Sequence, residues 1–331
     1  MDKPQRILLS HGGGGHKTEE LIRNVFQPYL NDPLLASMDD SAIIDNIVFT
    51  TDSFVVHPHF FPGGDIGKLA VSGTVNDITS MGAQPQYLSI SFILEEGYKI
   101  SDLKKILESI REAAHESGVR IVTADTKVVE KKSCDGVFIN TSGIGTVVIQ
   151  PPPSFNLIQP GDAIIINGEI GLHGIAVLLA RGEFSMEGNI LSDVAPLWSM
   201  IEKIKQYNIK FMRDPTRGGL AQTLNEIALS ADVGISLDQH ELPISPEVQN
   251  TCDLLGFDPL EIANEGKMLI ICSDQDKQNI LDILNSHPLG EKSQIIGTIT
   301  SHHRKVVTLR TSLGTERIIM PPSGEILPRI C

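Results

Sequence analysis

A cysteine ends the chain, in a segment that has little reason to be ordered. Cys331 follows three prolines, Pro321, Pro322 and Pro328, each of which fixes φ and removes a backbone donor, and Gly324, which adds a pivot. Because extended chain spans roughly 3.3 Å per residue, this segment can carry the thiol on the order of 35 Å. A tethered thiol of this kind can reach more than one active site, although most chain ends are simply unconstrained.

Carboxylates in the first half of the chain have the character of a metal–phosphate site. Asp40 lies in a polar turn, Asp52 closes a predicted apolar strand over 46–52, and Asp77 stands beside Asn76 in an otherwise apolar helix. Asp and Asn are poor helix formers, so this pair in mid-helix points to a function. Several carboxylates that converge with phosphate oxygens are the usual ligands of Mg²⁺. A single Asp is more often a surface or capping residue, so the interpretation depends on the three together.

The segment from His11 to His16 contains four consecutive glycines. Only glycine lets successive amides turn toward an anion at close range. No Gly-Lys-Ser/Thr follows, so the loop is not a Walker A motif, and the pattern fits a flexible surface loop as well as a nucleotide-binding loop. The four residues are Gly12, Gly13, Gly14 and Gly15.

Three further sites bring polar residues to the ends of predicted elements. Asp125 and Lys127 are expected to close a strand over 119–124. Arg213 and Arg217 precede a glycine pair and a predicted helix, which suits anion binding at a helix N-terminus. Glu265 comes just before a buried strand, where an ordinary loop acid and a catalytic carboxylate are equally consistent with the pattern.

The elements that must position these residues alternate between helix and strand. We expect Asp65 to cap a helix that ends at Gly82, followed by a strand over 87–94 and an amphipathic helix over 101–116. In the second half we expect a helix over 195–205. Both halves of the chain mix helices and strands without a strict βαβ rhythm, which predicts an α/β (α+β) protein of two layered domains. The Pro-rich segment 150–154 marks the boundary between them.

The predicted organisation has four parts. They are an N-terminal Gly-rich loop and helix (1–38), an N-terminal ATP-binding and dimerisation domain (39–150), a C-terminal α/β domain (151–318) and a flexible tail that ends in a reactive cysteine (319–331).

Composition limits the classes of function. The 331 residues carry a net charge of −14 without a Lys/Arg cluster, which argues against binding to nucleic acid. No apolar run reaches membrane-spanning length and no signal-peptide pattern opens the chain, so we expect a cytoplasmic protein that does not interact with membranes. The four cysteines form no C-x-x-C pair, and Cys272 has the setting of a buried core thiol.

An ordered series of motifs resembles the ATP-dependent superfamily of aminoimidazole ribonucleotide synthetase, selenophosphate synthetase and thiamine-monophosphate kinase. The series covers nearly the whole chain after residue 38. Its members are Asp39-Asp40-Ser41-Ala42, Thr50-Thr51-Asp52-Ser53, Val75-Asn76-Asp77-Ile78, Asp125-Thr126-Lys127-Val128-Val129 and Arg213-Asp214-Pro215-Thr216-Arg217-Gly218-Gly219-Leu220.

Three further segments resemble, more narrowly, the carbamoyl dehydratase family that makes the cyanide ligand of [NiFe]-hydrogenases. They are the glycine loop, Phe54-Val55-Val56-His57-Pro58 and the terminal Pro328-Arg329-Ile330-Cys331. The resemblance implies an aminoimidazole-ribonucleotide-synthetase-like fold, a homodimer formed through the N-terminal domains, and ATP bound with Mg²⁺ at or near their interface.

The resemblance also implies a reaction and its partners. A carbamoyltransferase, HypF, loads Cys331 as an S-carboxamide, ATP phosphorylates the amide oxygen, and loss of phosphate leaves a thiocyanate. The cyanide group then passes to an iron scaffold of HypC and HypD.

Matching motifs imply the following roles. Asp40, Asp52 and Asp77 hold Mg²⁺ and the nucleotide phosphates with help from Asp125, and glycines 12–15 close over the nucleotide. In addition to Cys331, the catalytic residues are Lys127 near the thiocarboxamide, Glu265 as the proton acceptor, and His11 as an orienting group.

Two alternatives remain on sequence grounds. A small-molecule kinase or synthetase of the same superfamily needs no terminal thiol, so the tail speaks against it. A non-catalytic carrier would use the tail as a swinging arm and bind nucleotide only structurally. ATP hydrolysis that depends on a loaded Cys331 distinguishes the dehydratase from such a carrier.

Overall fold

The computed structural model describes residues 6–13, 15–30, 32–36, 39–182 and 188–322. Gly14, Cys331 and the rest of the terminal segment from residue 323 onward, on which several of the predictions depend, lie outside the described residues.

The first half of the chain builds one mixed sheet with helices packed on it. The five-stranded sheet has the order β1-β2-β7-β5-β6, and β3 pairs with β4 in a separate hairpin. The strands are β1 Ala42–Ile44, β2 Ile47–Phe54, β3 Phe60–Phe61, β4 Gly64–Asp65, β5 Ala83–Glu95, β6 Arg120–Val129 and β7 Val137–Val147; the helices are α1 His16–Leu21, α2 Pro33–Ala36, α3 Ile66–Ser80 and α4 Ile100–Ser117.

Local signals in the sequence account for the central helix α3. The Asp65 carboxylate accepts hydrogen bonds from the backbone amides of Gly67 (2.7 Å) and Lys68 (3.0 Å), which satisfies two of the amide groups that a helix leaves unpaired at its start. The helix packs on β2, β5 and β7, and α4 packs on α3. The predicted cap and both predicted helices of this half are therefore confirmed.

The two faces of the first sheet differ. Along β2, Val48, Thr50 and Phe54 are buried toward α3, and Asp52 on the same face is partly buried. The alternate residues Ile47, Phe49, Thr51 and Ser53 are exposed on the other face. Because side chains alternate along a strand, every cross-strand row belongs either to the helix side or to the outward side. This alternation decides which candidate residues meet.

The second half contains a seven-stranded sheet of order β14-β13-β10-β12-β8-β11-β9. Its interior strands β8 and β11 are buried along their whole length, as expected for strands covered on both faces. The strands are β8 Ala163–Ile166, β9 Ile209–Arg213, β10 Gly234–Asp238, β11 Leu269–Cys272, β12 Gln294–Thr300, β13 Val307–Arg310 and β14 Glu316–Ile319; the helices are α5 Leu172–Arg181, α6 Trp198–Ile201, α7 Gly219–Ser230, α8 Pro246–Leu255 and α9 Lys277–Asn285.

One hydrophobic core crosses both halves. Val71 and Val75 of α3 belong to the same buried cluster as Trp198 and Met200 of α6 and Ile270 of β11. The predicted two-layer α/β architecture is thus confirmed, and α3 is the element that both halves share.

Two local predictions were wrong. The strand predicted over 119–124 continues as β6 to Val129, so Asp125 and Lys127 lie within it and do not follow its end. The helix predicted over 195–205 is reduced to α6 and a 3₁₀ turn, because Asn76 accepts a hydrogen bond from the backbone amide of Leu197 (2.9 Å) and donates one to the carbonyl of Ala195 (3.1 Å).

Candidate active site

A buried arginine stands at the centre of an acidic cleft between the two halves. Arg213, at the end of β9, donates from Nε to Oδ2 of Asp40 (3.1 Å) and from Nη1 to Oε2 of Glu226 (3.0 Å). Its guanidinium also lies 5.4 Å from the ring centre of Phe155 and 5.5 Å from that of Phe211. Arg213 therefore joins Asp40 of the first half to α7 of the second.

Asp77 lies next to Asp40 through shared hydroxyl groups. The Thr50 hydroxyl is 3.0 Å from the carbonyl oxygen of Asp40 and 3.1 Å from Oδ2 of Asp77, so it can donate to either. The Ser80 hydroxyl lies 2.7 Å from the Asp77 carbonyl and 3.3 Å from Oδ2 of Asp40. These contacts connect the acidic turn before β1 to the C-terminal end of α3.

The neighbouring Asn76 explains the unusual polar pair in α3. Its side-chain amide donates to the carbonyl oxygens of Ala195 (3.1 Å) and Glu265 (3.4 Å) and accepts from Leu197 N (2.9 Å). Asn76 thus holds the loop that carries Glu265 against α3, while Asp77 faces the cleft.

A second amide fixes the turn after Arg213. The Asn264 side chain donates to the carbonyl of Pro215 (3.0 Å) and accepts from Gly171 N (2.7 Å). A Cβ on Gly219 would lie 2.5 Å from the carbonyl oxygen of Ile262, so only glycine allows α7 to begin this close to the Glu265 loop. These contacts bring the segment that carries Asp214 and the loop that carries Glu265 together, and the predicted anion binding at the start of α7 stays a prediction.

The electrostatics of the cleft are those of crowded, buried carboxyl groups. Burial, and then the Asp40 carboxylate, raise the pKa of Asp214 to about 7. Burial raises the pKa of Asp77 well above its ordinary range, and Asp214, Asp52 and Asp40 raise it further. Both carboxyl groups are therefore harder to ionise than an exposed aspartate.

Glu265 has the same character in a more enclosed place. It is 3% exposed, and its backbone amide donates to Oδ1 of Asp193 (3.2 Å). Burial raises the pKa of Glu265 well above its ordinary range, as do Asp214, Asp52 and Asp193, whereas Arg217 lowers it. The pKa of Asp52 is also raised by burial, against the opposing effect of Arg217.

Asp125 and Lys127 do not join this cleft within one chain. Asp52 pairs with Thr141, which pairs with Ile90, whereas Asp125 belongs to the next row, with Ser91. Successive rows point to opposite faces, so Asp125 faces outward while Asp52 faces α3. Lys127 lies on the same outward face and contacts Asp125 at 2.6 Å.

The N-terminal loop lies near the second half of the chain. His11 Nδ1 accepts a hydrogen bond from the backbone amide of Leu8 (2.8 Å), and Gly12 ends a 3₁₀ turn. A Cβ on Gly15 would lie 3.3 Å from the carbonyl oxygen of Pro322, the last described residue. Burial raises the pKa of Glu226, and Glu19 of α1 is close enough to add to that rise. The loop and the start of the tail therefore meet at the Glu226 side of the cleft.

Several residues of the cleft were missed at the level of sequence. Asp214 belongs to the motif Arg213 to Leu220, which was interpreted through its two arginines alone. Its place directly before Pro215 was the one local feature that could have drawn attention to it. Glu226 and Asp193 gave no local signal, since each is an ordinary polar residue until the fold brings it to Arg213 or to the Glu265 amide.

Comparison with known proteins places the fold in one class. The N-terminal domain model of AIR synthase related proteins matches residues 38–147, and the C-terminal domain model matches residues 159–310. The protein is thus built as an AIR synthase related protein over both halves.

Individual relatives narrow the class to one family. A carbamoyl dehydratase HypE of Rhizobium leguminosarum bv. viciae is 45% identical over 98% of this chain and 95% of its own length. A crystal structure of a HypE–HypF complex contains a chain that is 47% identical, with a TM-score of 0.88 over 91% of this chain and 99% of that one. A HypE structure in complex with ATP is 41% identical, with a TM-score of 0.83 over 98% of this chain and 100% of that one. The chain belongs to the HypE carbamoyl dehydratase family.

Membership of this family decides among the functional alternatives. The chain is an enzyme of hydrogenase maturation, a carbamoyl dehydratase, and neither a small-molecule kinase nor a bare carrier. None of the helices in the described part of the chain combines the length and apolar character that a bilayer span requires.

Proposed function

We propose that the cleft around Arg213 binds the phosphates of ATP and dehydrates an S-carboxamide carried on Cys331 to a thiocyanate. The observation that supports this site most directly is a chain of contacts between three distant parts of the sequence. Asp40 accepts from Arg213, the Thr50 hydroxyl links Asp40 to Asp77, and Asn76, next to Asp77, donates to the backbone carbonyl of Glu265. A relative crystallised with ATP supports the same nucleotide for this chain.

The proposed reaction has two steps, a phosphorylation and an elimination. The carboxamide oxygen bonds to the γ-phosphorus of ATP, the bond from that phosphorus to the bridging oxygen breaks, ADP leaves, and one N–H proton is lost. The second N–H proton is then removed, the C–O bond breaks, phosphate leaves, and S–C≡N remains. Oxygen is a poor leaving group as hydroxide, and phosphorylation removes that barrier.

The charge of the cleft suits Mg²⁺ as a companion of ATP. In addition to burial, Asp214 and Asp52 raise the pKa of Asp77, and Asp40 and Asp52 raise the pKa of Asp214; a divalent cation relieves this repulsion. We propose that Asp40, Asp52 and Asp77 hold the ion together with phosphate oxygens. When bound, the ion supplies the positive charge that these groups and the phosphates share.

Glu265 is our proposed proton acceptor. A buried carboxyl group with a raised pKa is a stronger base than an exposed one, and the ideal catalytic base has a pKa near the working pH. The hydrogen bond from Asn76 to the Glu265 carbonyl links its backbone to α3, which positions the residue that carries the carboxyl group. We further propose that glycines 12–15 close over the nucleotide and that His11 orients the reacting group.

We propose a homodimer formed through the outward face of the first sheet. Phe49, Ile144 and Tyr87 form one cross-strand row on this face and are 43%, 40% and 40% exposed. Large exposed apolar rows on a flat sheet usually mark an interaction surface. Because Asp125 and Lys127 lie on the same face, their implied part in catalysis requires the second copy to bring this face to an ATP site.

The partners follow from the proposed chemistry. A relative crystallised with HypF supports HypF as the protein that loads Cys331. We also propose that the cyanide group passes to a HypC–HypD iron scaffold. The division into domains at 39–150 and 151–318, with a tail from 319, is likewise a proposal.

Intact-protein mass spectrometry tests the proposed reaction. The wild-type chain is loaded on Cys331 with HypF and carbamoyl phosphate and is weighed before and after Mg-ATP is added. We expect the carbamoyl adduct to lose the mass of one water only with ATP, and no adduct to form in Cys331→Ala.

A matched variant tests the proposed base. Glu265→Gln keeps the shape of the side chain and should load normally and bind ATP but retain the full carbamoyl mass, whereas Glu261→Gln, on the neighbouring turn, should react as wild type. Complete dehydration in Glu265→Gln would exclude Glu265 as the base. An adduct that Mg-ATP leaves unchanged in the wild type would overturn the proposed reaction as a whole.

A further inference from the structure

A second polar cluster, made of two histidines and an aspartate, shares no residue with the acidic cleft. His57, His59 and Asp135 place one potential ligand atom each within 4.8 Å of one another. Within the described part of the chain, these are the only three His, Cys, Asp or Glu residues that meet in this way. The cluster joins the segment after β2 to the loop between β6 and β7.

The contacts inside the cluster have the spacing of a coordination shell. His57 Nδ1 lies 3.0 Å from Oδ2 of Asp135, and His59 Nε2 lies 2.8 Å from the backbone oxygen of Asp135. The two imidazole rings meet edge to face, with their centres 5.8 Å apart. Ligand atoms about 2.0–2.2 Å from a common ion lie roughly 3–4 Å from one another. The His57–Asp135 pair has this separation, and the three candidate ligand atoms all lie within 4.8 Å of one another.

We propose that His57, His59 and Asp135 form a binding site for one divalent late transition-metal ion, of the Zn²⁺ or Ni²⁺ type. Imidazole nitrogen with a carboxylate suits Zn²⁺, Ni²⁺, Co²⁺ and Cu²⁺, whereas Mg²⁺ and Ca²⁺ prefer oxygen alone. Three protein ligands leave at least one position for water or another group, and Asp135 and His57 are exposed enough for an ion to enter.

The scaffold holds the ligands in place. The Glu95 carboxylate accepts hydrogen bonds from the backbone amides of Lys132 (2.9 Å) and Gly136 (3.0 Å), which fixes both ends of the loop that carries Asp135. Gly136 has φ +69°, and a Cβ there would lie 2.7 Å from Cε1 of His59 and 3.0 Å from the ring of Tyr98. The close approach of this loop to His59 therefore depends on glycine.

Tyr98 can accept a hydrogen bond from His59 after a metal ion displaces the proton on His59 Nε2. Without metal, His59 Nε2 must carry the proton, because its partner is a carbonyl oxygen that can only accept. The Tyr98 hydroxyl lies 3.4 Å from the other ring nitrogen, Nδ1. When a metal binds Nε2, the proton moves to Nδ1, where the Tyr98 oxygen accepts it. A metal-bound histidine typically donates its other N–H to a group of this kind.

Metal titration of the full-length chain tests the site. The measurements use Cys331→Ala as background, so that the terminal thiol does not compete, after treatment with chelator. Zn²⁺ is titrated by calorimetry, and Co²⁺ by its visible absorption, which reports coordination by nitrogen. We expect one equivalent to bind per chain, and the thermal midpoint to rise with added Zn²⁺, because an ion that binds only the folded state stabilises it.

Two ligand variants and a matched control decide the outcome. His59→Ala and Asp135→Asn should bind Zn²⁺ at least about tenfold more weakly, with loss of the Co²⁺ absorption and of the thermal shift. His302→Ala removes an exposed histidine in a distant loop and should behave as the background protein. If His59→Ala does not fold, Asp135→Asn, on the exposed loop, provides the same test. Equal affinity in all variants, or no saturable binding below about 100 µM, would overturn the proposal.

Discussion

Arg213 and Asp40 are 173 residues apart in the chain and are joined by a hydrogen bond of 3.1 Å between Nε and Oδ2. The same guanidinium reaches Glu226 at 3.0 Å, so one buried cation is shared by carboxylates from both halves. Burial by itself lowers the pKa of Arg213, but Asp40, Glu226 and Asp39 more than reverse that effect, and the group stays charged. The cleft is therefore assembled around a fixed positive charge.

Replacing that charge should damage both stability and nucleotide binding. In Arg213→Met, Asp40 and Glu226 lose a buried partner, and breaking a buried ion pair on one side typically costs about 3–5 kcal/mol. We expect a loss of this order in the free energy of unfolding, measured by urea denaturation, together with weaker binding of Mg-ATP in calorimetry.

Two further variants control for the effect of Arg213→Met. Arg213→Lys keeps the charge but loses the planar fork and should be intermediate. Arg111→Met removes an arginine that pairs with Glu108 on the exposed face of α4 and should change the stability by no more than about 0.5 kcal/mol. An unchanged affinity of Arg213→Met for Mg-ATP would show that the phosphates bind elsewhere.

Asn76 should contribute to stability through the loop that it holds. Asn76→Ala leaves the buried carbonyls of Ala195 and Glu265 and the amide of Leu197 without their side-chain partner, at a cost of about 1–3 kcal/mol for each group that stays unsatisfied. We expect a loss of several kcal/mol in urea denaturation. At temperatures where the variant stays folded, dehydration of the loaded tail should be slower, because the Glu265 backbone is no longer fixed.

The control for Asn76→Ala removes an amide of similar type from the surface. Gln206→Ala deletes an exposed side chain that donates only to the carbonyl of Lys203. It should cost less than about 0.5 kcal/mol. An equal cost for both variants would contradict the role given to Asn76.

The part of the site that depends on local chemistry could be predicted from sequence. Asp65 caps α3 through its own neighbouring amides, and the Asn76–Asp77 pair stood out because both residues disfavour the helix that contains them. That local conflict marked the two residues that link α3 to the Glu265 loop and to the cleft.

The part that depends on tertiary pairing could not be predicted. Asp125 was expected to help Asp40, Asp52 and Asp77, but the strand register puts it in the row next to that of Asp52, on the opposite face of the sheet. A change of one residue in register reverses the face, and no local pattern in β6 fixes that register. Glu226 and Asp193 become part of the site only through long-range contacts, for the same reason.

Asp214 should make the stability of the metal-free protein depend on pH. Its pKa is about 7 in the folded protein and near 3.8 when unfolded, so between these values the folded state keeps a proton that the unfolded state has lost. Stability should therefore fall as pH rises from about 4 to about 7, with a slope of up to about 1.4 kcal/mol per pH unit for this one group. Urea denaturation in EDTA across this range measures the slope.

An uncharged variant isolates the contribution of Asp214. Asp214→Asn cannot titrate and should lose this part of the slope, whereas Asp274→Asn changes an exposed aspartate and should keep it. Replacing EDTA with excess Mg²⁺ should flatten the slope of the wild type, because the added positive charge lowers the pKa of the cleft carboxyl groups. Identical slopes in wild type and Asp214→Asn would show that Asp214 ionises normally.

The outward sheet face should hold two copies together. Ile144 lies between Phe49 and Tyr87 in the exposed row, so Ile144→Glu puts a carboxylate in the centre of the proposed interface. Burying an unpaired charge costs several kcal/mol, which is enough to dissociate a dimer of moderate affinity. Light scattering after gel filtration should give twice the 36.0 kDa chain mass for wild type and a single chain mass for the variant.

A glutamate introduced on another surface tests whether dimer formation depends specifically on the outward sheet face. Leu254 of α8 is 71% exposed and belongs to the second half, so Leu254→Glu should leave the dimer intact. Because Asp125 and Lys127 share the outward face with Ile144, the monomeric variant should also lose dehydration while each chain still folds, as judged by its thermal midpoint. A wild-type chain that is monomeric at micromolar concentration, or a fully active Ile144→Glu monomer, would show that one chain contains the whole site.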